Sequence, residues 1–277
     1  MQLLTTFIES IEGLTMVSAQ ALTSNGWQHS YFIIDSGASI SLFSPEVCKV
    51  KNVRDNIVDF NGTSLFSQKC TVTLSFAEKT MNINGNIIDY DTLPKIDGKR
   101  LSGILGADFF TKNHIVLDFY NKGMYLGETC ISNDNPFIPI KFGLSGHNIP
   151  AVFIDCNNRQ FPFVLDTGAT DNMVAPPIFN MAKDIHSERT HIIKGLASRC
   201  LSTECELDFS IYTYSKGIIV RQKFHDAFIS YEPNSISDSS LVLDTFHGLI
   251  GNDFIHSQKW IIDFSERKIF KNQILGC

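Results

Sequence analysis

The sequence FVLDTGATDNMVAP (residues 163–176) has a near copy earlier in the chain, FIIDSGASISLFSP (residues 32–45). Each copy runs from three bulky apolar residues into Asp, a hydroxyl residue, Gly and Ala. Asp35 and Asp166 are 131 positions apart, about the length of one small domain. A single Asp-Ser/Thr-Gly triplet is weak evidence, because chance alone produces one in roughly every few chains of this length. Two copies with matched flanks indicate an internal repeat.

A second repeated block lies downstream of each Asp motif. The sequence LSGILGADFF (residues 101–110) matches HGLIGNDFI (residues 247–255), and the similar segments IVLDF and WIIDF follow from residues 115 and 260. In both halves twelve positions separate the last Gly of the first segment from the Asp of the second. The chain of 277 residues therefore contains a duplication of about 130 residues, with the length differences confined to the region between the two motifs.

These paired Asp loops and apolar-apolar-Gly segments resemble those of the aspartic proteases. Each half is similar to one retropepsin subunit, and nearly the whole chain is similar to a pepsin-like protease. The resemblance implies an all-β, bilobal fold with two β-barrel lobes related by a pseudo-twofold axis. The lobes are expected at residues 1–132 and 133–277, because the segment near residues 130–136 is rich in Asn and Pro and suits a boundary.

The resemblance assigns the catalytic role to Asp35 and Asp166, one from each lobe. Two carboxylates held close together cannot both ionise, so they would share one proton and titrate as a pair. The charged carboxylate would take a proton from a bound water while the neutral one donates to the carbonyl of a peptide bond. This chemistry needs no cofactor and no metal, and the eight histidines show no spacing typical of metal ligands.

Neighbouring residues in both loops are expected to support this dyad. The two hydroxyl residues should hydrogen bond across to the opposite loop, and the two glycines should permit a tight turn with close backbone approach. The alanines stand where many pepsins have a hydroxyl, and without that donor the dyad should titrate higher, which favours activity at mildly acidic to near-neutral pH. The supporting residues are Ser36, Gly37, Ala38, Thr167, Gly168 and Ala169.

Each half also contains a predicted hairpin where a retropepsin-like flap would lie. Both segments carry a Gly between apolar stretches. An ordinary surface hairpin would give the same pattern, so both interpretations stay open. The candidate residues at the tips are Asn61, Gly62 and Thr63 in the first half and Lys194, Gly195 and Leu196 in the second.

The two halves differ two positions after the alanines, where Ile40 corresponds to Asp171. By analogy this position lines a substrate subsite, so Asp171 would favour a polar or basic substrate side chain. A solvated loop carboxylate is the alternative. Further along, Asp108 and Asp253 are predicted to be N-cap residues of short helices, because a carboxylate accepts hydrogen bonds from free amides at a helix start.

Composition and charge restrict the class of protein. The net charge is −6 and the 23 Lys and Arg residues are scattered, so no nucleic-acid partner is expected. The first residues show neither a basic start nor a long apolar run, which predicts no signal peptide and no membrane span. Cytoplasmic localisation is the default expectation, with secretion of a mature form left open.

The seven cysteines are expected to be free thiols, although Cys200 and Cys205 could close a small loop in an oxidising compartment.

The sequence thus favours an aspartic endopeptidase that acts on a peptide or protein as a monomer, since one chain supplies both Asp loops. The alternative is a catalytically silent, protease-like module that holds a peptide or protein without cleaving it. Retention of an Asp in both halves favours the enzyme. In a third possibility each half pairs with a half of another molecule, which the mass of the active species would reveal.

Overall fold

The structure is a computed structural model that describes residues 1–11, 13–58, 64–89, 93, 95–129, 131–132, 134–144, 148–194, 199–230 and 245–271. Strands account for 61% of the described residues and helices for 8%, so the protein is nearly all-β, as predicted.

The described part of the first half consists mainly of β-strands. These strands are β1 (Gln2–Thr6), β2 (Ile8–Glu9), β3 (Thr15–Thr23), β4 (Gly26–Asp35), β5 (Leu42–Phe43), β6 (Lys49–Val58), β7 (Ser64–Phe76), β8 (Lys79–Ile87), β9 (Lys95–Ile96), β10 (Lys99–Gly106), β11 (Ile115–Asp118) and β12 (Gly123–Leu126). The second half repeats the plan with β13 (Phe137–Pro139), β14 (Ala151–Cys156), β15 (Arg159–Leu165), β16 (Met173–Val174), β17 (Asp184–Lys194), β18 (Arg199–Ser215), β19 (Ile218–Ser230), β20 (Gly248–Ile250), β21 (Trp260–Asp263) and β22 (Lys268–Lys271). Short helical segments are a 3-10 turn at Pro45–Val47 and the helices α1 (Ala107–Lys112), α2 (Pro176–Phe179) and α3 (Asn252–Ser257).

Two closed six-stranded barrels form the lobes. In the first barrel the order is β3, β4, β10, β5, β8 and β7, and β7 pairs again with β3. The second barrel visits the equivalent strands in the same order, β14, β15, β20, β16, β19 and β18, and closes where β18 pairs with β14. The sequence repeat is therefore a structural repeat.

A tight hairpin precedes the Asp loop in each lobe. β3 and β4 are joined where Thr23 pairs with Gly26, whose φ of +93° favours glycine. β14 and β15 are joined at Asn157 and Asn158, with φ of +51° and +62°. Asn tolerates this left-handed conformation, which matches the twist of a two-residue hairpin.

In each lobe the strand of the downstream Gly block lies between the Asp-bearing strand and a short strand. β4 runs parallel to β10, so that Asp35 lies beside Gly106, and β5 pairs antiparallel with β10 on its other edge. In the second lobe β15 runs parallel to β20 and β16 pairs antiparallel with β20. Buried alternation on β4 explains its place, since Phe32 and Ile34 pack into the main core while Ile33 packs into a second apolar cluster.

The two lobes share a continuous sheet. Its strands run in the order β1, β12, β11, β21, β22 and β13, and β11 of the first lobe pairs antiparallel with β21 of the second. Leu117 pairs with Ile262 at the centre, and these residues occupy the same position in the two repeats. A pseudo-twofold axis between the lobes requires such pairing of equivalent positions.

The repeated Asp of this sheet has a structural role in each lobe. Asp118 accepts hydrogen bonds from the amides of Tyr120 and Asn121, at 2.9 and 2.8 Å. Asp263 accepts equivalent bonds from Ser265 and Glu266, at 3.0 and 2.9 Å. Each carboxylate therefore fixes the turn that follows its strand.

The N-cap prediction for Asp108 and Asp253 is wrong. α1 has Gly106 as its N-cap residue and α3 has Gly251, so both aspartates lie inside the first helical turn. Asp108 is 8% exposed and accepts two bonds from Ser41 instead, from its amide at 2.8 Å and from its hydroxyl at 2.7 Å.

Within the described part of the chain, no helix has the length and apolar character that crossing a bilayer would require.

Candidate active site

Asp35 and Asp166 lie at the start of equivalent turns, where the apolar strands β4 and β15 end. In the first loop the amide of Ala38 donates to Asp35 Oδ1 at 2.9 Å. In the second loop the amides of Gly168 and Ala169 donate to Asp166 Oδ1 at 2.9 and 3.1 Å. Each carboxylate is thus held in one orientation by the backbone of its own turn.

Each glycine of these loops lies against the carboxylate of the other lobe. A Cβ added to Gly37 would lie 2.5 Å from Asp166 Oδ2, and a Cβ added to Gly168 would lie 2.6 Å from Asp35 Oδ1. Any side chain at either position would overlap the opposite Asp. The glycine in each motif is therefore explained by close approach of the two loops.

The hydroxyl residues connect the two loops directly. Ser36 donates its amide to Thr167 Oγ1 at 3.0 Å and its hydroxyl to the Leu165 carbonyl at 2.6 Å. Thr167 donates its amide to Ser36 Oγ at 3.1 Å and its hydroxyl to the Ile34 carbonyl at 2.9 Å. Both side chains are fully buried. Each hydroxyl donates and accepts across the lobe boundary, so the two Asp-bearing turns are tied together by four hydrogen bonds.

The Asp35 and Asp166 carboxyl groups lie close enough for each to shift the pKa of the other. Burial raises the pKa of Asp35 well above its usual range, and the nearby charge of Asp166 raises it further. Burial also raises the pKa of Asp166, although the amide of Gly168 works in the opposite direction. Because the two groups interact strongly, they titrate as a pair that retains one proton at a pH where isolated carboxyl groups are ionised.

A second pair of equivalent contacts, which the sequence analysis missed, holds the Gly of each downstream block. Ser41 Oγ accepts from the Gly106 amide at 3.0 Å, and Asn172 Oδ1 accepts from the Gly251 amide at 2.9 Å. Ser41 and Asn172 both lie six positions after the Asp of their motif. That common spacing is the signal that could have identified them, although the residue types differ.

No protein-family model and no curated protein matches this sequence.

A buried polar contact between the lobes was also missed. Asn252 donates its side-chain amide to the Gly13 carbonyl at 2.6 Å, and His256 Nε2 lies 2.8 Å from Thr15 Oγ1. His256 Nδ1 lies 3.6 Å from Glu9 on the other side of the ring. Burial lowers the pKa of His256. The segment before β3 is thus attached to α3, the helix that begins beside Gly251, by contacts that no local sequence pattern indicates.

The positions proposed as subsites have different surroundings in the two lobes. Ile40 is partly buried and packs against the apolar cluster that also contacts Ala38 and Ile57. Asp171 is exposed, and its carboxylate accepts a hydrogen bond from the Thr170 hydroxyl at 2.7 Å. One side of the dyad therefore presents an apolar residue and the other a solvated carboxylate.

The predicted flap segments form antiparallel strand pairs, β6 with β7 and β17 with β18. Lys194 is the last residue of β17 and pairs with Arg199. Ile57 of β6 packs against the same apolar cluster as Ile40. The remaining tip positions lie outside the described residues, namely Asn61, Gly62, Thr63, Gly195 and Leu196.

Among the residues that the structure describes, no group of three or more His, Cys, Asp or Glu side chains is arranged to hold a metal ion.

Proposed function

We propose that the protein is an aspartic endopeptidase that hydrolyses peptide bonds with water. The observation that supports this most directly is the close approach of Asp35 and Asp166, which come from equivalent loops and each lie against the glycine of the other loop. The reciprocal hydrogen bonds of Ser36 and Thr167 support it further, because they hold both loops in fixed register. Pre-organised catalytic groups cost no reorganisation when the reaction takes place.

In the proposed reaction the pair holds one proton and one negative charge. The charged carboxylate removes a proton from a water molecule as that water attacks the peptide carbonyl carbon, and the protonated carboxyl donates its proton to the carbonyl oxygen. The resulting gem-diol collapses when a proton is returned to the nitrogen, which breaks the C–N bond. Both carboxyl groups are needed in opposite protonation states, and their raised pKa values keep one of them protonated.

The surroundings of the dyad fit an extended peptide substrate. Ile40, five positions after Asp35, provides an apolar side chain on the side of the first lobe, while Asp171 provides an exposed negative charge on the side of the second. A peptide with an apolar side chain on one side of the cleaved bond and a basic or polar one on the other would suit both. One chain carries both Asp residues, so the active species proposed here is a monomer.

The test is cleavage of a fluorogenic peptide library by the wild type beside Asp35→Asn and Asp166→Asn. Each substitution removes an ionisable group of the dyad but keeps its shape, and should lower turnover by at least about 100-fold. Asp134→Asn is the matched control, because Asp134 is an exposed residue in the segment between the lobes. A statine-type inhibitor should block the wild type.

Cleavage that persists in both dyad variants would contradict the proposal. A wild type that retains library peptides without cleaving them would instead identify a binding module, the alternative function. Activity that appears only in a dimeric fraction would exclude the monomer.

A further inference from the structure

Two cysteine thiols of the first lobe lie in direct contact. Cys48 Sγ is 3.3 Å from Cys70 Sγ. Cys48 is the residue that ends the 3-10 turn Pro45–Val47, and it is partly exposed. Cys70 lies in β7 and is completely buried. The two residues are 22 positions apart in the sequence and belong to different elements.

The local backbone brings these thiols to the same face of the β6–β7 pair. Cys70 lies opposite Val50 in the strand register. Cys48 precedes Val50 by two positions, and side chains two positions apart point to the same face of a strand. A disulfide bond is about 2.05 Å long, so the two sulfur atoms need to approach by little more than 1 Å.

The surroundings act on the two thiols in opposite directions. The hydrogen bond from Cys48 lowers the pKa of the Cys70 thiol, and Lys51 acts in the same direction against the effect of burial. The same hydrogen bond and burial raise the pKa of the Cys48 thiol, so exposure rather than acidity makes Cys48 the first to react. Thiolates, rather than thiols, attack disulfides. Cys48 is the sulfur that an external reagent can reach, and Cys70 is the one placed to attack it next.

We propose that Cys48 and Cys70 form a disulfide by exchange with a small-molecule disulfide. Cys48 loses its proton and attacks one sulfur of the oxidant, which forms a mixed disulfide and releases a small thiolate that takes up the proton. Cys70 then loses its proton and attacks the Cys48 sulfur, which releases the second small thiol. Two protein S–H bonds become one S–S bond, and the small disulfide is reduced to two thiols.

This bond would fasten the first flap hairpin at its base. The closed loop would contain residues 49–69, which include all of β6 and the beginning of β7. The bond would connect β7 to the turn that follows the Asp35 loop. Closing such a loop limits the unfolded chain, so the oxidised protein should be more stable. Formation of the bond does not depend on the proposed peptidase activity, which is why the readouts below are mass and Tm.

The experiment treats the full chain with oxidised glutathione, with reduced glutathione as the parallel control. Samples are quenched in acid, denatured, alkylated, digested with a protease of known specificity and examined by mass spectrometry. The expected product is one cross-linked peptide pair containing Cys48 and Cys70, lighter by two hydrogen atoms and reversed by dithiothreitol. The Tm of the oxidised protein should rise by about 5 °C or more.

Cys48→Ser is the decisive variant, because Cys48 is partly exposed and the substitution keeps the residue small. It should lose both the cross-link and the rise in Tm, and Cys70→Ser should do the same where it folds. The buried Cys156 and Cys205 of the second lobe should be alkylated in all samples. Complete alkylation of Cys48 and Cys70 after oxidation, a reaction that stops at a glutathione adduct, or a cross-link without a rise in Tm would overturn the proposal.

Discussion

Ser36 and Thr167 hydrogen bond to each other in both directions across the lobe boundary, with N···O distances of 3.0 and 3.1 Å. Ser36 hydrogen bonds to the loop that carries Asp166, and Thr167 hydrogen bonds to the loop that carries Asp35. The stability of the two lobes and the alignment of the dyad therefore depend on the same pair of side chains.

Replacing Thr167 with Val should weaken both properties. The substitution keeps the shape but leaves the Ser36 amide and the Ile34 carbonyl without their partner, which should cost about 2 kcal/mol of unfolding free energy. For a protein of this size the Tm should fall by about 4–8 °C. Displacement of the carboxyl groups should lower peptide turnover by about tenfold or more. Thermal unfolding and cleavage assays measure the two effects.

Thr167→Ser is the matched control for that experiment, because it retains a hydroxyl that can donate and accept as before. It should remain close to the wild type in both assays. Equal Tm values for Thr167→Val and the wild type would show that these hydrogen bonds contribute little to lobe association.

The pH dependence of turnover should reflect the absence of a hydroxyl at Ala169, whose amide donates to Asp166. Ala169→Thr would place a donor beside that carboxylate, favour its charged form and lower the pKa of the dyad. The pH profile should move toward lower pH by about 0.5–1 unit, the amount expected for one hydrogen bond. The wild type itself should have its maximum at mildly acidic to near-neutral pH.

Ala169→Val has nearly the same size as Ala169→Thr but no hydroxyl, so its profile should not move. Cleavage measured from pH 2 to pH 8 compares the three proteins. A wild-type maximum near pH 2, or equal shifts in both variants, would contradict the role given to this position.

Stability should also depend on pH through the dyad. The pKa of Asp35 is raised in the folded protein, so the folded state binds this proton more tightly than the unfolded chain. The resulting stability is fully present below the unfolded pKa of about 3.9 and is lost as pH rises through the folded value. Asp35→Asn removes this loss, so its Tm should match the wild type near pH 3 and exceed it by several degrees at pH 7.

Thermal unfolding from pH 3 to pH 8 tests this expectation, with Asp134→Asn as the variant that should follow the wild type throughout. A constant difference between Asp35→Asn and the wild type at all pH values would mean that the dyad proton is not bound more tightly on folding.

His256 should act with the opposite sign. Burial lowers its pKa, so the unfolded chain binds this proton more tightly, and stability is lost as pH falls below the unfolded value of about 6.5. Thr15 and Phe119 contact the ring, and of the nearby charges Glu9 raises the pKa of His256 while Lys122 lowers it. His256→Gln should therefore flatten the dependence of Tm on pH between pH 7 and pH 5.

His29→Gln offers a control for the loss of a histidine, because His29 is exposed on β4. The Tm of that variant should follow the wild type over the same range. An unchanged slope in His256→Gln would remove His256 from the titration of the lobe contact.

The sequence was most informative where a structural requirement recurs in both halves. The repeated Asp motif and the Gly of the downstream block predict two equivalent barrels, because β4 with β10 and β15 with β20 need the same close packing. The hairpin turns before each Asp loop were also predictable, since Gly26 and Asn158 tolerate a positive φ.

Contacts between distant segments could not be predicted in this way. The N-cap interpretation of Asp108 failed because Ser41, 67 positions away, satisfies its carboxylate. The attachment of Asn252 to Gly13 spans 239 positions, and a side-chain amide gives no pattern that identifies such a partner. The flap tips stay predictions, as they lie outside the described residues.

The pairing of Leu117 with Ile262 means that each half of the protein depends on the other to cover a strand edge. A fragment limited to residues 1–132 would present the edge of β11 bare, and such edges recruit other chains. Because the missing neighbour is an equivalent strand, β11 of a second fragment could pair there instead. Assembly would then depend on the concentration of the fragment. Covalent linkage of the halves makes that encounter intramolecular, so Asp35 meets Asp166 however scarce the protein is.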